Sequence, residues 1–274
     1  MTESVKRPFG DSDVEEIPLE PAPLVAVIAQ IRFPRILSLT SEKSVEAFQE
    51  AVRVDYPIMR TEQFQAIVMA PAGPIVAEPT TMFQFTNVKS DWQVALSQDS
   101  LSLESTRYTN RDEFIDRLTR AFVALNEVAT PGPVAVYDRL GIRYINRLTG
   151  ADAERSRLKK LLSDEVYGPL TVAEGLDDDQ HLVASITQQQ YKLGEHTLMA
   201  RWASLPPGGE LAPGIDSVDV DSWVLDVDAF VEGQAPFEPH AASEIARHGA
   251  RLAYHLFRWA MTDKFISERS AVAL

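Results

Sequence analysis

The chain predicts an α+β fold of two tandem units, each running strand, helix, three strands, helix, with antiparallel sheets packed by helices. Three observations lead there: short apolar runs separated by polar turns, helical stripes bounded by capping residues, and the same succession of both in each half. The expected boundaries are a disordered tail over residues 1–20, a first unit over 21–133 and a second over 134–274, the two packed as one body.

In the first unit, Leu24 to Phe33 is an apolar run closed by Pro34, the pattern of a strand buried on both faces. Ser41 ahead of Glu42-Lys43-Ser44 is a capping arrangement, and Val45, Phe48 and Val52 recur at helical spacing until Pro57 stops the pattern. Residues 70–81 hold Pro71, Gly73, Pro74 and Pro79 and predict a loop. Met82 to Thr86, Trp92 to Ser97 and Leu101 to Ser105 then come as a meander, and the alternation in Trp92-Gln93-Val94-Ala95-Leu96 buries one face. Asn110 opens a helix whose Phe114, Leu118, Phe122 and Leu125 make a core stripe, and Pro131-Gly132-Pro133 ends it.

The second unit repeats the succession. Val134 to Arg147 reads as a strand, Asp152 to Leu162 as a helix with Leu158, Leu161 and Leu162 inward, and Leu182 to Gln190 and Thr197 to Ser204 as strands joined by a turn around Gly194. Pro206-Pro207-Gly208-Gly209 opens a long loop, Trp223 to Phe230 is another strand, and Ala241 to Ile266 is the longest helix. Ile31-Arg32-Phe33 and Ile142-Arg143-Tyr144 stand at the same point of each half and support a duplication with pseudo-twofold symmetry. Tandem repeats of the TATA-binding-protein type have such an order, a likeness of topology that does not imply DNA binding.

Composition excludes several classes of function. No stretch approaches the roughly 20 apolar residues that a membrane-spanning helix needs. The first residues mix Lys6 and Arg7 with Asp11, Asp13, Glu15 and Glu16, with no apolar segment for export, so a cytoplasmic location is expected. The absence of cysteine removes disulfides, thiolate metal sites and cysteine nucleophiles. A net charge of -14 without a basic patch argues against nonspecific nucleic-acid binding.

Catalytic signatures are missing from the sequence. Gly208-Gly209 lacks the ending of a phosphate-binding loop, and neither a GxSxG elbow nor an HExxH helix is present. Asp219, Asp221, Asp226 and Asp228 have the spacing of an oxygen-rich cation site, with Asp226 and Asp228 on one strand face. The same alternation places Trp223, Leu225 and Val227 in the core and leaves the aspartates solvated, which is the favoured reading, so no metal and no cofactor is assigned. Asp177-Asp178-Asp179 beside Gly175 reads as an exposed turn. His248 and His255 lie about 10 Å apart along one helix, too far to share an ion, and Tyr254, Phe257, Trp259 and Phe265 read as core. Arg32 and Arg143 each interrupt an apolar strand. Either each meets a carboxylate, with Asp226 or Asp228 and Glu104 as partners, or the two form an anion-binding site; the pairing is favoured.

Pro23 to Phe33, Leu140 to Asn146, Leu225 to Asp228 and Phe257 to Lys264 together resemble a sporadically distributed family of uncharacterised bacterial proteins of about this length. The resemblance implies a bacterial source and an accessory role, and it brings no catalytic residues. The expected function is a non-enzymatic one: holding another protein, encoded by a neighbouring gene, on the concave or edge surface of the sheet, with the Pro-rich loop 205–214 as a contact surface. The alternative is a small-molecule or nucleotide-binding protein, or an enzyme of unfamiliar type, with a site between the halves. Exposed sheet edges also make a homodimer an option.

Overall fold

A computed structural model describes residues 7–9, 14–64, 67–70, 73–76, 80–129, 132–177, 180–212 and 215–270. The described residues form eleven strands and six α-helices. The first half holds β1 (Leu24–Arg32), α1 (Glu42–Val52), β2 (Ile58–Phe64), β3 (Ile67–Ala70), β4 (Gly73–Val76), β5 (Thr80–Thr86), β6 (Trp92–Leu96), β7 (Ser100–Ser105) and α2 (Arg111–Val128). The second holds β8 (Val136–Thr149), α3 (Arg155–Leu161), α4 (Asp164–Tyr167), β9 (Ser185–Leu193), β10 (His196–Leu205), β11 (Ser222–Pro236), α5 (Pro239–Ala260) and α6 (Asp263–Arg269). Nine strands form one antiparallel sheet in the order β2-β5-β6-β7-β1-β8-β11-β10-β9, and β3 and β4 form a separate hairpin.

Two compact units divide the chain. One comprises residues 1–27, 142–230 and 248–274, and the other 28–141 and 231–247. In the second of these, the predicted helical stripes hold. Val45, Phe48 and Val52 of α1, and Phe114, Leu118, Phe122 and Leu125 of α2, are all buried. Phe48 packs on Phe85 of β5 at 5.3 Å between ring centroids, and Phe114 on Trp92 of β6 at 5.7 Å. Ser41 and Asn110 cap the two helices as their types require, accepting from the Ser44 and Glu113 amides.

In the first-named unit, Leu198, Ala200 and Trp202 of β10 stand opposite Ala229, Val227 and Leu225 of β11 and make a buried layer. α5 lies close on it. A Cβ added at Gly249 would be 3.1 Å from Ile142 Cγ2 and 3.4 Å from Ala229 Cβ.

The described part of the expected tail is tied down. Ile17 N–H donates to Tyr254 Oη at 2.8 Å, and Glu20 N–H to the Arg269 carbonyl at 2.7 Å.

Other expectations change. β1 is not buried on both faces: Val27, Ala29 and Ile31 are buried while the alternate residues are half-buried or exposed, the ordinary pattern of a one-sided strand. Part of the loop expected over 70–81 is strand: β4 takes in Gly73 and Pro74 and pairs with β3, whereas Pro71 and Pro79 lie outside the described residues. The single helix expected over 241–266 is two. The first stops at Ala260, and Thr262 caps the second, its hydroxyl accepting from the Phe265 amide and donating to the Lys160 carbonyl at 2.8 Å. A Thr-Asp step supplies a cap and an acidic first turn, a start signal in the middle of an otherwise helical pattern. The helix expected over 152–162 begins later, at Arg155, with Leu158 and Leu161 inward as predicted.

Candidate functional site

β9 and β10 form a hairpin closed by Gly194 and Glu195. Gly194 has φ +60, at the first of the two turn positions, where a type II′ turn requires glycine. The turn fixes the register: Leu193 opposite His196, and so on to Ser185 opposite Ser204. β11 then pairs with the far side of β10, placing Arg201 directly opposite Asp226. Arg201 therefore sits between Gln188 on one neighbour and Asp226 on the other.

Asp226 is 1% exposed, and its carboxylate is clasped by two guanidinium groups. Arg143 of β8 donates from Nε to Oδ1 at 2.6 Å and from Nη2 to Oδ2 at 3.1 Å, and Arg201 Nη2 lies 2.7 Å from Oδ2. A buried carboxylate needs such compensation, because losing water costs it several kcal/mol unless charge and hydrogen bonds replace the hydration (about that size for an ion in a protein interior). The expectation that Asp226 is solvated is thus corrected: the face opposite Leu225 and Val227 is also covered, and Asp226 lies beneath the arginines. Both its oxygens face guanidinium donors, so it offers nothing to a cation. Asp228 lies two positions on, half-buried, and Asp219 and Asp221 are exposed ahead of β11. Among the described residues no group of three or more His, Asp or Glu side chains is placed to hold a metal ion.

The paired-arginine expectation divides. Arg143 meets Asp226, one of the partners its strand position called for. Arg32 ends β1 on the exposed side of the alternation and forms no ion pair among the described residues, because an exposed guanidinium keeps its water. Sequence reasoning missed Arg201. Its sign was visible as a charge between the apolar even positions Leu198, Ala200 and Trp202 of the strand, but its register against Asp226 was not. His248 faces a histidine that spacing along α5 did not suggest: its ring lies 4.8 Å from that of His196 at the start of β10. Phe257 and Phe265 are core, while Tyr254 and Trp259 are half-buried.

β9 is the last strand of the sheet. A two-residue hairpin closes on a hydrogen-bonded pair, so Leu193, Tyr191, Gln189 and Thr187 spend their backbone groups on β10. Ile186, Gln188, Gln190 and Lys192 then direct theirs outward. Among the described residues, no backbone bond outside the β9–β10 ladder reaches this edge. Gln188, Gln189 and Gln190, in the middle of the strand, are all exposed, while Ser185, Thr187, Tyr191 and Leu193 are half-buried. Ile186 is 58% exposed and Val183, just ahead of the strand, 62%. Lys192 is the strand's single formal charge, and it holds neither proline nor glycine. β2, at the other end of the sheet, carries Arg60 and Glu62 instead, the charged side chains with which edges are commonly protected.

The Pro-rich loop is less open than its composition suggests. Gly209 N–H bonds the Pro206 carbonyl at 2.9 Å, Gly208 N–H the Val218 carbonyl at 2.8 Å, and Arg147 Nη2 the Asp216 carbonyl. No helix among the described residues is long and apolar enough to cross a membrane. No protein-family model matches the chain, and no curated protein matches it either.

Proposed function

We propose that this is a non-enzymatic interaction protein that holds an extended segment of another polypeptide as an added strand on the outer edge of β9. The observation that carries the reading is that edge itself: nine residues with one charge and a row of backbone groups facing out. Strand addition draws its affinity from main-chain hydrogen bonds and its selectivity from alternate side chains. Here those alternate side chains are Ile186, Gln188, Gln190 and Lys192, an apolar residue, two amides and a cation. The Arg143–Asp226–Arg201 cluster ties together β8, β10 and β11, the strands behind the edge.

The protein's two halves are, in this reading, a tandem duplication. The strand order supports it, since β5-β6-β7-β1 is followed by β8-β11-β10-β9, the same succession reversed. An accessory role beside a neighbouring gene, in a bacterial cytoplasm, fits the same reading.

A photo-crosslinking amino acid at Gln188, compared with one at Glu50 on α1, tests the function in cells producing the chain. The expected result is a covalent protein adduct from position 188 alone. No adduct there, or equal adducts from both positions, contradicts it.

A second reading has one observation in its favour. Arg201 Nε is buried without a hydrogen-bond partner, and a buried donor of this kind calls for an acceptor oxygen. An anionic small molecule beside Arg201 would supply one. Inorganic phosphate then raises the melting temperature over chloride at equal ionic strength, and Arg201→Lys loses the rise; no rise in the native protein removes this reading.

A further inference from the structure

We infer that the strand added to β9 is β9 of a second copy of this chain, antiparallel about a two-fold axis through Gln189. The inference rests on the strand-addition reading above and names its occupant.

The argument is one of register. Only residues with outward backbone groups can make the hydrogen-bonded pairs of a new ladder, here 186, 188, 190 and 192. Centring the ladder on Gln189 pairs Gln188 with Gln190 of the second copy and Ile186 with its Lys192, so all nine residues of each strand are used. Centring it one residue away on either side leaves strand ends unpaired. The chosen register also suits the side chains. Two amides face each other at Gln188 and Gln190, and the alkyl stem of Lys192 lies over Ile186. On the other face Thr187 meets Tyr191, a β-branched and aromatic pair of the kind that stabilises adjacent strands. Tyr191 is already held, its ring edge-on to Phe9 at 5.0 Å and its hydroxyl donating to Gln189. No like charges are opposed: the two Lys192 side chains stand roughly 20 Å apart along the paired strands, beyond a screening length of about 8 Å. The strand is therefore complementary to itself.

The chain contains no cysteine, so introduced thiols can pair only with each other. Gln189 and its copy form a non-hydrogen-bonded pair with Cα atoms about 4.5 Å apart, within disulfide reach. Gln188 and its copy are offset by two residues, roughly 8 Å apart, and out of reach. Oxidised Gln189→Cys should thus run as a covalent dimer of twice 30.5 kDa, and Gln188→Cys and Gln190→Cys should crosslink when mixed but not alone. Light scattering of the unmodified protein should give the same doubled mass, reduced to a monomer by Gln190→Pro. That proline removes an outward N–H and no bond to β10, a place where edge strands tolerate it. A native monomer, a dimer that survives Gln190→Pro, or equal crosslinking by all three single cysteines would overturn the inference. If the native protein is a monomer while the crosslinker at Gln188 captures a different protein, the inference falls and the strand-addition reading stands; if position 188 captures nothing, the reading itself falls.

Discussion

Asp226 owes its burial to Arg143 and Arg201, and its replacement tests how tightly the three are bound together. Asp226→Ala leaves two guanidinium groups facing each other across a vacated site, and should lower the free energy of unfolding in urea by about 3 kcal/mol, since breaking a buried pair strands its partner. Replacing all three together with apolar residues should cost less than that single change. Glu268 makes a prediction about pH. The hydrogen bond from Arg157, with a smaller share from the charges of Arg157, Lys264 and Arg269, holds its carboxyl below the ordinary range against the opposing effect of burial. A lowered carboxylate stabilises the fold above its unfolded-state pKa, and the contribution disappears as pH falls through the folded-state value. Glu268→Gln should therefore be less stable than the native protein at neutral pH and equal to it in acid, read from urea midpoints across the titration. That Arg143 needs a carboxylate was legible in the sequence, because a charge inside an apolar strand demands an opposite one, but Asp226 was one of three candidate partners and its burial was not foreseen. Arg201 was not, because its partner is set by the register between β10 and β11, which a long connection and not a tight turn joins.

Periodicity and capping chemistry carry most of the information about individual elements. α1, α2 and α3 bury the residues their spacing selects, and the Gly194 turn fixes the β9–β10 hairpin. Cap substitutions should have matching costs: Asn110→Ala about 1 kcal/mol, and Thr262→Ala about 1 to 2 kcal/mol, because Thr262 both caps α6 and bonds the Lys160 carbonyl. Faster amide exchange at Phe265 in Thr262→Ala would locate the loss. β2 and the β3–β4 hairpin escaped the sequence reading, since Ile58–Phe64 has charged and polar residues at most positions and the stretch from 71 to 79 is broken by three prolines and a glycine. That β9 is an edge was also hidden. Its local pattern is that of any half-exposed strand, and only the order of the sheet places it last.

The whole molecule carries a net charge of -14, while β9 contributes a single positive charge to the contact. Association must therefore overcome a long-range repulsion between two acidic bodies, which salt screens. Raising ionic strength should increase the dimer fraction measured by sedimentation; a decrease would mean that opposite charges, not backbone pairing, hold the copies together. Residue-resolved amide exchange along β9, at concentrations where the protein associates, tests most directly whether the edge is paired. Strand addition predicts that the amides of Ile186, Gln188, Gln190 and Lys192 are protected to the same degree as those of Thr187, Gln189, Tyr191 and Leu193. Protection at the odd positions with free exchange at the even ones, unchanged at every concentration, would contradict it.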